Sequence, residues 1–264
     1  MLRLVWAGLA LACGALQVVA APPPPAQEPG NASMRFELRR EGPAEACGSN
    51  CRVWVSAIGY LTSETAREFE AFAQKNDIRG TVLVLDSDGG SVLGTIALGR
   101  AIRRLEMVTT VGKTVSLPPT AQGERRAKLA PNASCESMCA FLLLAGSRRY
   151  VPPQAQVLVH QIWLGKKRKN ALDSNYSAEE LNLVQRDIGR LAQYTIEMGG
   201  GIELLETALR IPPWEPLYAL SSEEIQRMRL TTVEAPFDQN VPATSAIAPT
   251  TSLATVGRQA PGRD

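Results

Sequence analysis

Gly80-Thr81-Val82-Leu83-Val84-Leu85-Asp86 (GTVLVLD), running directly into Ser87-Asp88-Gly89-Gly90-Ser91, decides the fold. Apolar side chains at successive positions, rather than at every second one, call for burial on both faces of a strand, as in a parallel sheet covered by helices. The glycines then permit a tight turn, and Gly94 to Leu105 takes up helical spacing, which makes strand, turn and helix the first half of a right-handed crossover. Working outward, Arg52 to Ile58 reads as a strand and Ser63 to Gln74 as a helix capped at Thr62 or Ser63. Val108 to Gly112 is a third strand, Met138 to Ala145 a helix, and Val157 to His160 a fourth strand. An amphipathic helix follows, Ala178 to Met198, stopped by Gly199-Gly200-Gly201. This alternation predicts an α/β layered domain with a mainly parallel sheet flanked by helices. Ser116 to Ser134 reads as a long polar connection, of a length that usually carries function or disorder.

The chain has 264 residues, 45% hydrophobic and 20% charged, enough for one sizeable core. Lys+Arg 28 against Asp+Glu 26 leaves a net charge of +2, too small a surplus for a dedicated nucleic-acid binder. A single His excludes zinc sites built from several imidazoles, and neither a metal nor an organic cofactor is expected. The turn after Asp86 does not fit the dinucleotide-binding spacing G-x-G-x-x-G. At the N-terminus, Arg3 precedes the apolar run Leu4 to Ala15 and small residues to Ala21, the pattern of a secretory signal peptide over residues 1–20. An uncleaved membrane anchor is the competing reading. Residues 21–44 follow as a Pro-rich linker, 45–236 as the folded domain, and 237–264 as a disordered tail poor in large apolar groups. The expected setting is therefore periplasmic or extracellular.

Export changes how the cysteines read. Cys47, Cys51, Cys135 and Cys139 remain after the leader, an even number in an oxidising compartment, so disulfides are expected before a four-thiolate metal site. Cys51 opens a strand whereas Cys135 lies beyond the carboxyl end of another. Local pairing, Cys47 with Cys51 and Cys135 with Cys139, follows from that separation.

Three features fall at the carboxyl ends of strands, the edge where open α/β sheets gather ligands. They are the Gly89-Gly90 turn, Ser137 at the start of an apolar helix, and His160 at the end of VLVH. Taken singly, each has a structural reading: a plain turn, an N-cap serine, a hydrogen-bonded core histidine. Their coincidence at one edge points to a site. The basic run Lys166-Lys167-Arg168-Lys169 follows closely, readable as a solvated loop or as a contact with an anionic membrane surface or acidic partner.

Ser137-Met138-Cys139-Ala140-Phe141-Leu142-Leu143-Leu144-Ala145-Gly146, then Arg149 and Pro153, then Val159-His160-Gln161, resembles the catalytic region of the proteolytic subunit of Clp protease, in the ClpP/crotonase superfamily. Leu85 to Ser91 is similar to that family's Ser-x-Gly-Gly turn, and Leu220 to Leu230 to its closing helix. The likeness runs in order over residues 52–233, and the exported setting with the Cys-x-Ser-x-Cys arrangement looks closer to a periplasmic branch. It implies a ClpP/crotonase-like layered fold and a serine hydrolase cleaving peptide or protein substrates. Ser137 would be the nucleophile, His160 the general base, and the N–H groups of Gly90 and Met138 the oxyanion hole. It implies trimers or larger rings too, with Leu181, Val184, Ile188, Leu191, Tyr194 and Ile196 available for packing. Three departures stand out. Cys139 replaces a small residue, Asp88 stands where the turn has Pro, and the third acid is absent, leaving Glu215 as the nearest charged candidate. A catalytically silent envelope protein, keeping the fold for assembly or peptide binding, is the alternative.

Overall fold

The computed structural model describes residues 33–42, 47–121 and 123–237, so the expected signal peptide and the parts of the linker and tail at 21–32, 43–44 and 238–264 lie outside the described residues. Its centre is a seven-stranded sheet in the order β5-β6-β1-β2-β3-β4-β8. These strands are β1 (Arg35–Glu41), β2 (Val53–Ile58), β3 (Val82–Asp86), β4 (Val108–Val111), β5 (Lys113–Ser116), β6 (Arg126–Ala130) and β8 (Arg148–Tyr150). The pairs β2–β3, β3–β4, β4–β8 and β1–β6 are parallel, while β1–β2 and β5–β6 are antiparallel. The sheet is therefore mainly parallel, flanked by helices.

The GTVLVLD run behaves as its composition dictates. Alternation along β3 sends Leu83 and Leu85 into the large core, with Val55, Ala57, Phe69, Leu98 and Ile102. Val82 and Val84 go to the opposite face, into a smaller cluster with Trp54, Val108 and Ala127 against which Leu129 and Phe237 pack. The helices are α1 (Thr65–Ala73), α2 (Val92–Arg104), α3 (Met138–Leu143), α4 (Ala178–Glu197), α5 (Glu203–Leu209) and α6 (Ser222–Arg227). Serine hydroxyls at 91, 177 and 221 accept the N–H three residues on and start α2, α4 and α6, the last two as capping boxes with Glu180 and Glu224. Tyr194 of α4 presses on α2 at Gly99, where an added Cβ would lie 1.9 Å from the phenol oxygen.

Four expectations need correction. Residues 35–41 are not linker but β1, paired antiparallel along β2 from Arg35↔Ile58 to Arg40↔Val53. Met34, Phe36 and Leu38 alternate with charged residues there, a period-2 signal weaker than the proline-rich stretch before it. The polar stretch after β4 is no open loop but the β5–β6 hairpin, and β7 (Ser134–Glu136) closes it. Third, the strand carrying His160 is not in the central sheet. It is β9 (Gln156–Val159), in a separate three-stranded sheet β10-β9-β7, with β10 at Tyr218–Ala219. Fourth, Phe237 belongs to the folded part and not to the tail, stacking edge-on against Trp54 at 6.5 Å under the Arg52 guanidinium.

Both cysteine pairs are bonded, Cys47 to Cys51 and Cys135 to Cys139, which leaves no four-thiolate site. Among the described residues, no helix is long and apolar enough to cross a membrane.

Candidate active site

Strand register brings Ser137 and His160 together. β7 runs parallel to β9 with Glu136 opposite Leu158, and the Ser137 N–H donates to the Leu158 carbonyl at 2.7 Å. One step further along this register lies Val159 and then His160, on a strand about 4.8 Å away. On its other side β7 is tied to the turn after β3: the Glu136 N–H donates to Ser87 O at 2.9 Å, and the Ser87 N–H to Ser134 O at 3.2 Å. The glycine turn, Ser137 and His160 thus stand side by side.

Ser137 sits on a sharp strand-to-helix turn with φ 54° and ψ −117°. Positive φ is uncommon for a residue with a Cβ and costs on the order of 1–3 kcal/mol, which the surroundings must offset. They are equipped for it. Cys135 and Cys139, both fully buried, bridge across the serine. Gly89 packs so closely beneath that a Cβ would lie 2.6 Å from Glu136 O, 2.8 Å from Met138 N and 2.9 Å from Ser137 Cβ. Serines 91, 177 and 221 use their hydroxyls as caps, but Ser137, also at a helix start, makes no capping hydrogen bond. The structural reading of that serine therefore fails, and its hydroxyl is not committed to α3.

Two backbone donors border the same cleft. Met138 is the first residue of α3, where an N–H has no intrahelical acceptor. Gly90, at φ 140°, forms a parallel bridge with Leu61 in which Gly89 O and the Ser91 N–H take up the Leu61 backbone. Alternate residues bond to alternate sides in such a ladder, so the Gly90 N–H is turned away from Leu61. Ser137, His160, Gly90 and Met138 line one cleft of about 490 Å³, with Arg168 and Asp187 on its other walls.

His160 is 8% exposed. Its Nδ1 lies 2.7 Å from the Gln161 carbonyl oxygen, which can only accept, so Nδ1 carries the proton and Nε2 the lone pair. Burial first and the Arg168 charge second push its pKa down to about 4, against a weaker upward pull from the Gln161 carbonyl. The ring is neutral at physiological pH. Glu136, next to the serine, is raised by burial and by Asp88, with Arg168 acting in the opposite sense.

Glu215 is not brought to this site. It is exposed in the turn after Pro212 and outside the cleft lining, and the Gln161 carbonyl occupies the imidazole nitrogen that a third acid would hold. The turn is closed by the Glu215 N–H donating to Pro212 O at 3.0 Å, and the chain joins β9 only at Tyr218. The basic run is divided as well: Lys166 is exposed, Lys167 pairs with Glu180 at 2.7 Å, and Arg168 faces the cleft. Asp187 escaped the sequence reading altogether. Its signal was a charge three residues after Val184 and four before Leu191, on the buried face of α4.

A family model described as Clp protease matches residues 133–200, less than half of the chain but including both Ser137 and His160. No curated protein matches the chain. The matched segment supports a place in the ClpP-like superfamily, and the mainly parallel α/β architecture is consistent with such a fold.

Proposed function

We propose that the chain is an exported serine peptidase working through Ser137 and His160. The observation that carries this reading is Ser137 itself: strained, uncapped, and one register step from a buried neutral histidine. Strained strand-to-helix turns that lift a serine into a cleft are the form of the nucleophile elbow. His160 Nε2 takes the Ser137 Oγ proton as Oγ bonds to the scissile carbonyl carbon, and the developing oxyanion receives the N–H groups of Gly90 and Met138. The imidazolium then gives that proton to the leaving amine. Water, deprotonated by the same nitrogen, releases the acyl group and restores the serine.

The Gln161 carbonyl does part of a third acid's work. It fixes the tautomer, but a neutral dipole stabilises the imidazolium less than a carboxylate does, so slow turnover is expected. The disulfides are compatible with an exported protein, which supports the periplasmic or extracellular setting. Assembly into a homo-oligomer belongs to the same reading. Of the basic run that could meet an anionic membrane surface, Lys166 is exposed, while Lys167 pairs with Glu180 and Arg168 lines the cleft.

Denatured casein tests the activity. The protein should cleave it slowly, and Ser137→Ala should lose at least a thousandfold in rate while keeping its circular dichroism. Equal cleavage by Ser137→Ala overturns the assignment.

A further inference from the structure

Arg168 lines the cleft that holds Ser137 and His160, half-buried, and among the described residues no carboxylate lies within salt-bridge distance of its guanidinium. Arg39, Arg52, Arg79, Arg100, Arg104 and Arg126 each meet a carboxylate, and the half-buried Arg103 and buried Arg149 meet backbone carbonyls. Acids are nonetheless near. Asp88 and Asp187 stand on the cleft walls, Glu136 feels the Arg168 charge, and Asp187 faces Arg186 and Arg190 at 3.7 Å instead. Surrounding carboxylates that do not pair lower the cost of holding a cation there and leave its donors open. A guanidinium has five N–H donors in a planar fork, matched in shape to one carboxylate group.

We propose that Arg168 is a substrate-binding residue which takes a carboxylate of the peptide, its C-terminus or an acidic side chain close to the scissile bond. This rests on the peptidase reading of the same site. It also gives the cleft a way to favour the right ligand. A carboxylate seated on Arg168 offsets the positive charge that helps to depress His160, so the base strengthens when the anchored substrate is in place.

Binding can be measured without turnover, on the full-length Ser137→Ala protein. The probes are dansyl-Ala-Ala-Ala-Ala as free acid, the same peptide as C-terminal amide, and dansyl-Ala-Ala-Glu-Ala as amide. One carboxylate probe should bind about tenfold or more tightly than the neutral amide, and which one it is separates a C-terminal from a side-chain anchor. Adding Arg168→Gln should close the gap, and Arg168→Lys, which keeps the charge but not the fork, should restore part of it. Equal affinities for all three probes, or a gap that persists in Arg168→Gln, overturns the proposal. Loss of casein cleavage chemistry is scored separately on the unmutated protein, so the two readings fail independently.

Discussion

His160 makes the sharpest prediction at the scale of single residues. An ordinary histidine base loses activity as pH falls through about 6.5. Burial and Arg168 bring His160 to about 4, so serine reactivity should stay level down to about pH 5 and fall only near 4. Arg168→Gln should move that acid limb upward. The same shift has a stability consequence. Between pH 6.5 and about 4 the unfolded chain binds more protons than the folded one, so this contribution is complete above pH 6.5 and is lost as pH falls towards 4. Urea unfolding at pH 7 and pH 4.5 should show a larger acid loss for the natural protein than for His160→Gln, and equal losses contradict the buried neutral imidazole. The sequence announced Ser137 and His160 because the first opens a recognisable helix and the second closes a recognisable strand. Arg168 and Asp187 join them only through the path of the segment after β9 and the pose of α4, which no local pattern encodes, and Glu215 failed for the same reason: nearness in a matched segment is not contact.

At the scale of elements, the turn beneath Ser137 carries the strain. Gly89→Ala puts a methyl into Glu136 O and Met138 N, so the turn must shift, and displacement of an ångström at a reacting group costs about a hundredfold in rate. Labelling by an active-site probe should fall by that order, and an unchanged rate would show that the glycine only completes the turn. Replacing Cys135 and Cys139 together by Ala removes the brace across Ser137. The loss of stability should sit at the low end of the range of about 2–4 kcal/mol, because the closed loop is short, while reactivity falls further than stability does. Away from the site, Arg149 is 6% exposed and donates to Leu144 O at 3.0 Å and Met198 O at 2.8 Å, where α3 and α4 end. Arg103 bonds the same carbonyls from α2. Arg149→Met leaves buried acceptors short of a donor and should cost about 1–3 kcal/mol, read as a lower urea midpoint. Elements with continuous or helical apolar patterns were legible, β3 above all. β1, the β5–β6 hairpin and β7 were not, because short strands with charged or polar alternation look like loops until a partner strand satisfies their backbone.

For the whole molecule, α4 decides how much surface is left over. Val184, Leu191 and Tyr194 are buried within the chain, so most of the apolar face covers its own domain, while Leu181 and Ile196 remain outside at 42% and 67% exposure. The proposed oligomer therefore has fewer apolar residues available on α4 than the helical pattern suggested. Light scattering at micromolar concentration should give a mass above that of the monomer, and Ile196→Glu should lower it; a strict monomer throughout removes that part of the reading. The central claim is that Ser137 is an activated nucleophile, and a fluorophosphonate tests it most directly. After exposure at neutral pH, peptide mass mapping should find one adduct, on Ser137, which is absent from Ser137→Ala and strongly reduced in folded His160→Ala. An unlabelled protein, or an adduct that survives in Ser137→Ala, contradicts the account.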